Sequence, residues 1–182
     1  VVTGEVNPSG HTTATFAANS LSAPSAENFG LHAYNYGSKT PRAAGDSFVS
    51  YNEGIYVGYR YYETANVPVR FPFGYGLSYT TFTQSLNSVT EADGTITVDV
   101  TVTNTGSASG KEVVEVYYNP PYTNGGIEKA SANLIGFAKT SELAPGASEN
   151  VTVTFKAEDM ASYDTYGKGC YVLEKGDYVI SI

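Results

Sequence analysis

The stretch ITVDVTVTNTG, residues 96–106, decides the fold of this chain. Ile96, Val98, Val100 and Val102 alternate with Thr97, Asp99, Thr101 and Thr103. A period of two puts the aliphatic residues on one face and the polar ones on the other, which predicts a half-buried strand with one wet side. Asn104-Thr105-Gly106 ends it with turn-forming residues. Working outward, residues 81–89 supply a strand before it. Val114, Val116 and Tyr118 repeat the alternation up to Pro120-Pro121. Residues 134–137 begin another strand, closed by Leu143-Ala144-Pro145-Gly146, and Val151, Val153 and Phe155 mark the next. Residues 157–163 read as a short helical turn. Residues 170–173 and 178–182 read as a hairpin around Lys175-Gly176-Asp177. Residues 129–133 fit either a long loop or an edge strand.

About seven short strands within roughly 100 residues predict a two-sheet sandwich of the immunoglobulin or fibronectin type III kind. The chain has one cysteine and no tryptophan, so the Cys…Trp…Cys signature of antibody domains is excluded.

Composition removes several function classes. Hydrophobic residues make up 41% and charged residues 15%, enough apolar material for a core and too little charge for wholesale disorder. The formal charge of -8, with no basic run, repels phosphate backbones and anionic membrane surfaces, so no nucleic-acid or membrane partner is expected. No apolar run approaches the roughly 20 residues of a membrane span, and the start, VVTGEVNPSG, carries no targeting signal. Cys170 is predicted to be a small core residue. With only His11 and His32 besides, far apart in sequence and read as ordinary surface residues, no metal site or cofactor is expected. The chain has 16 tyrosines, a residue that suits strand packing and sugar- or protein-facing surfaces alike.

The tyrosines concentrate in YNEGIYVGYRYYETANVPVRFPFGYGLSYTTF, residues 51–82. Residues 55–64 fit a strand by composition, yet Ile55, Tyr59 and Tyr62 also share a helical stripe. Asn52 is a possible cap, with Glu53 in the first turn. Pro68 and Pro72 are expected to forbid regular structure, and Phe73-Gly74-Tyr75-Gly76 to make a tight turn. Further upstream, Asn7-Pro8-Ser9-Gly10 reads as a turn, Thr13 to Phe16 as a short strand, and 47–51 as another. Residues 19–46 show no apolar period, which suggests a segment wrapped over a body outside this chain.

These motifs resemble, in fixed order, the carboxy-terminal portion of glycoside hydrolase family 3, the family of β-glucosidases and related exo-glycosidases. The resemblance rests on Asn7-Pro8-Ser9-Gly10, on residues 51–62, and on FPFGYGLSYTTF at 71–82. It continues through residues 102–106, 110–114 and 143–146. It implies that residues 1–79 end an α/β sandwich domain, loop-rich with one short helix, and that 80–182 form a fibronectin type III-like domain. It also implies that 56–64 is helical. Members of the family take a nucleophilic aspartate from a barrel domain and an acid/base carboxylate from an earlier part of the sandwich domain. No motif here matches either, and retaining hydrolysis needs two carboxyls about 5 Å apart. The chain is therefore expected to hold no catalytic residue and to be inert alone.

Three residues are candidate substrate contacts. Glu53 could accept a sugar hydroxyl, or serve as a helix-start acid or a partner of Arg60 or Arg70. Arg60 could clamp a carboxylate or anchor the linker. Tyr61, with Tyr59 and Tyr62, could stack on a sugar or simply pack between domains. Phe73 to Gly76 lacks a following Lys-Ser/Thr pair, so it is no phosphate loop. Asn150-Val151-Thr152 is a glycosylation sequon. The expected partner is the remainder of a glycosidase, its barrel and α/β domains, or a second copy through residues 1–79. A β-glucoside is expected only for the complete enzyme. The rival reading is a free-standing carbohydrate-binding or adhesive β-sandwich module.

Overall fold

The computed structural model describes residues 1–19, 21–28, 32, 33, 47, 48 and 51–182. Before Thr80 the regular elements are short: strand β1 (Phe16–Ala17), helix α1 (Pro24–Asn28), strands β2 (His32–Ala33) and β3 (Ser47–Phe48), helix α2 (Tyr59–Ala65) and strand β4 (Val69–Phe71). β1 pairs with β4 and β2 with β3, both antiparallel. Tyr62 is the one buried hydrophobic residue described here before Thr80.

From Phe82 the chain builds β5 (Phe82–Ala92), β6 (Thr95–Asn104), β7 (Val113–Asn119), β8 (Asn133–Lys139) and β9 (Ser148–Lys156). A 3-10 turn at Ala157–Met160 leads to β10 (Ser162–Tyr163), β11 (Tyr171–Val172) and β12 (Val179–Ser181). One sheet runs β5-β6-β9 and the other β12-β7-β8. The β5–β6 hairpin closes on Asp93 and Gly94, both at positive φ, which suits the twist of paired strands.

The core follows the alternation. Ile96, Val98, Val100 and Val102 of β6 meet Val114, Val116 and Tyr118 of β7, with Val151, Val153 and Phe155 of β9 beside them. Phe82, Ile135, Tyr178 and Ile180 pack against this cluster. At its end Asn104 is wholly buried yet saturated. Its Oδ1 accepts from Thr80 Oγ1 (2.6 Å) and the Gly106 amide (3.1 Å). Its Nδ2 donates to the Ala108 and Leu143 carbonyls, each at 2.8 Å. A buried amide is tolerable only when every group is paired.

Several expectations need correction. The residues around Lys175-Gly176-Asp177 do not close a hairpin: β11 pairs with β10, and β12 crosses to the open edge of β7. There Tyr178 and Ile180 reach the core, which a local hairpin would deny them. Cys170 is exposed, because it ends a surface loop turned around Asp164 rather than entering the core. The helical turn expected over 157–163 is a single 3-10 turn, and its last residues pair as β10. Residues 129–133 are loop until Asn133. Asn7 to Gly10 is not a turn; the reversal lies earlier, where the Gly4 amide meets the Val1 carbonyl at 3.0 Å. The strand expected at Thr13 starts only at Phe16. Pro68 and Pro72 do not prevent pairing, since the three residues of β4 fit between them. Of the aperiodic segment 19–46, the described part holds α1 and β2, and the remainder lies outside the described residues.

Candidate functional site at the arm–sandwich junction

Part of the 51–82 stretch, Tyr59 and Phe73-Gly74 among it, lies against the outer face of the sheet β12-β7-β8. In that sheet Val114, Val116 and Tyr118 turn inward, so Glu115 and Tyr117 turn outward. Alternation alone would leave them wet. Instead the leading arm covers them. Tyr59 sits edge-on to Tyr117, centroids 5.9 Å apart, and packs on Phe73 at 4.9 Å. Its hydroxyl accepts from the Leu134 amide at 2.9 Å. Tyr117 donates to Glu115 Oε2 at 2.6 Å. Burial, then this carboxylate, pushes the Tyr117 phenol well above its ordinary value. Gly74 sits directly over Glu115, at φ 76, where a Cβ would overlap the carboxylate. Tyr59, Glu63, Phe73, Glu115 and Tyr117 thus line a cavity of about 310 Å³.

Further contacts tie the arm down. Asn7 accepts from the Tyr79 amide (2.8 Å) and Ser78 Oγ (3.1 Å) and donates to the Ser109 carbonyl (2.8 Å). Lys139 Nζ donates to the Ser9 carbonyl at 2.6 Å. His11, read as an ordinary surface residue, is half-buried: Nδ1 lies 2.6 Å from the Gly74 carbonyl and Nε2 3.7 Å from Glu112. The side chain of His32 lies outside the described residues. On the far side, Thr64 Oγ1 accepts from the Ser131 amide at 2.9 Å. Tyr56 donates to Glu128 at 2.5 Å, and burial followed by that carboxylate raises its pKa to about 12. Lys129 is buried, held by the Pro121 carbonyl and by Glu174.

The sequence candidates do not converge. Residues 59–65 form α2, which resolves the strand–helix ambiguity toward helix. The helix starts at Tyr59, after a Gly58 cap that makes no side-chain bond, so Asn52 does not cap it and Glu53 lies outside its first turn. Among the described residues Glu53 forms no ion pair with Arg60 or Arg70. Glu53 Oε2, Arg60 Nε and Thr15 Oγ1 are buried without a hydrogen-bond partner. Tyr61 packs against Tyr62, centroids 5.2 Å apart. Asn7, Glu115 and Tyr117, which carry the docking, were not singled out as site residues. Glu115 and Tyr117 sit at polar positions of an alternating strand, and nothing local marks a covered wet face.

A fibronectin type III-like domain model matches residues 112–182. Structurally, β5 and β6 upstream of that match belong to the same sandwich. Beta-glucosidase A of Butyrivibrio fibrisolvens is 42% identical across 98% of this chain and 22% of its own length. A beta-glucosidase of Ruminococcus albus is 40% identical across 98% of the chain and 18% of its length. Among solved structures, a beta-glucosidase from Paenibacillus barengoltzii superposes with a TM-score of 0.83 at 42% identity, over 99% of this chain and 19% of that one. Beta-glucosidase 3B from Thermotoga neapolitana, in complex with alpha-D-glucose, gives 0.80 at 38% identity, over 99% and 23%. The chain therefore spans about a fifth of the length of these relatives.

Proposed function

We propose that this chain is the carboxy-terminal part of a family 3 glycoside hydrolase of the β-glucosidase type, and that it braces the catalytic body of an exo-glycosidase that removes terminal β-D-glucosyl residues. The reading divides the chain at residue 79. Residues 1–79 complete an α/β sandwich domain, and 80–182 are the fibronectin type III-like brace. The nucleophile and the acid/base carboxylate belong to the body, together with the sugar-binding contacts.

One observation carries this reading. The arm presents a finished side and an unfinished side. Tyr56 and Tyr59 are bonded onto the sandwich, while Val2, Val6, Leu21, Tyr51, Val57 and Leu77 are exposed. Buried polar atoms without partners lie in the same arm. Exposed apolar surface beside unpaired polar groups is what a domain fragment shows where its other half belongs. Glu53 and Arg60 then meet groups of the body, and Tyr61 packs; their role is anchoring rather than chemistry. A second copy docked through residues 1–79 is the alternative cover.

Incubation with an aryl β-glucoside tests the reading. The isolated chain should give no turnover. The longer protein should hydrolyse the glucoside and lose thermal stability when residues 80–182 are removed. Turnover by the isolated chain that survives repurification would sink it.

A further inference from the structure

At the end of the sandwich away from Asn104, two loops bound a second cleft. Residues 125–128 form one wall and residues 163–168 the other, enclosing about 430 Å³. That is within the roughly 300–1,000 Å³ of small-molecule sites. Its rim is aromatic. Tyr166, 94% exposed, and Tyr163, 49% exposed, both line it. Tyr163 and Tyr171 face each other across β10–β11, rings edge-to-face at 5.2 Å.

These rings are not on a loose loop. Asp164 accepts from the amides of Gly167 (2.9 Å) and Lys168 (2.8 Å), and its carbonyl accepts from the Gly169 amide at 2.9 Å. The Tyr163 hydroxyl donates to the Gly169 carbonyl at 3.0 Å. The chain therefore holds Tyr166 out into water on a fixed turn. Presenting a large ring this way forgoes its burial, and a turn already fixed gives up little backbone entropy when something stacks on the ring.

The polar groups of the cleft narrow the occupant. Glu128 offers a carboxylate whose partner is a phenol rather than a cation. Lys168 supplies a donor on the opposite wall. Glu174 also lines the cleft, paired with Lys129 from behind. Acceptors, a donor and flat ring faces within one small cleft match a sugar, whose hydroxyls bond to the former and whose C–H face stacks on the latter. A chain charge of -8 disfavours an anionic glycan.

We propose that this cleft is a carbohydrate-binding site for a neutral oligosaccharide, one pyranose stacked on Tyr166 and its hydroxyls held by Glu128 and Lys168. It contains neither catalytic carboxylate nor any residue of the arm junction's cavity, and it stands whether or not the body is a glucosidase. No turnover is read in its test, so its failure is distinct from the failure of the bracing function.

Cellotetraose is the probe, titrated into the full 182-residue chain by calorimetry and by NMR of the tyrosine rings. Saturable binding with Kd in about the millimolar range is expected. Tyr166→Ala should weaken it about fivefold or more, whereas Tyr166→Phe should retain it, because the ring face and not the hydroxyl does the stacking. Glu128→Gln should also weaken it, and tetragalacturonate should not bind. No saturable binding of cellotetraose, or binding by Tyr166→Ala as strong as by the parent chain, overturns the proposal. So does equal binding of tetragalacturonate. Tyr166 lies exposed in a surface loop, so its two variants should melt with the parent chain.

Discussion

The region before Thr80 and the region after it use the same residue types to different ends. After Thr80, valines alternate with threonines, the valines of two sheets face one another, and the buried amide of Asn104 has every group paired. Before Thr80, valines and aromatics are as plentiful, yet Tyr62 alone among the described hydrophobics is buried. What orders the arm is the outer face of the sheet β12-β7-β8. A periodic sequence carries the instructions for its own core. An aperiodic one of similar hydrophobicity needs a surface made elsewhere.

That contrast is most severely tested at Asn104. Replacing it with alanine strands the buried Thr80 hydroxyl and takes a partner from the part-buried Gly106 amide and Ala108 carbonyl, and should cost about 3 kcal/mol of sandwich stability. Urea denaturation reads this directly. A loss under about 1 kcal/mol would mean that water replaces the amide and that this end of the core is not closed.

Gly74→Ala strikes the arm instead. The positive φ and the overlap with Glu115 should cost about 2 kcal/mol of docking. Protease cleavage within 51–79 should accelerate while the sandwich keeps its melting temperature. Loss of both together would show that arm and sandwich form one cooperative unit. A milder version is Asn7→Ala, which removes three hydrogen bonds at an exposed site and should loosen the first residues by about 1 kcal/mol, visible as faster amide exchange around Tyr79.

The smallest effect is alkaline. Tyr56 has its pKa raised from 10.0 to about 12 by burial and then by Glu128, and Tyr117 is shifted the same way. A raised phenol holds its proton more tightly in the folded chain. The associated stability is complete below pH 10 and is lost as pH climbs through about 12. Tyr56→Phe should make the fall in melting temperature across that window shallower. An unchanged slope would remove the Tyr56–Glu128 contact from the set that holds the arm.

The strands of the sandwich were legible because their signal is local. A period of two in residues 96–103 specifies which face is buried, whatever it is buried against. Turn residues at 104–106 and 143–146 carry equally local backbone preferences. The destination of β12 was not legible, since a pair of short strands around a glycine reads as a hairpin until the open edge of β7 is known. Cys170 differs from expectation for a related reason: its apolar neighbours suggest burial, but the loop around Asp164 turns it outward.

By itself the sequence determined the alternating core, the aromatic concentration at 51–82 and the ordered motifs of a family 3 glycoside hydrolase. Only the tertiary structure decided that Glu115 and Tyr117 lie beneath the arm, that Glu53 and Arg60 form no ion pair, and that Tyr166 stands exposed at a cleft. The physical reason is range. Backbone preference and periodicity act over a few residues and are written in the chain, whereas which surface covers which depends on contacts between residues as distant as Ser9 and Lys139.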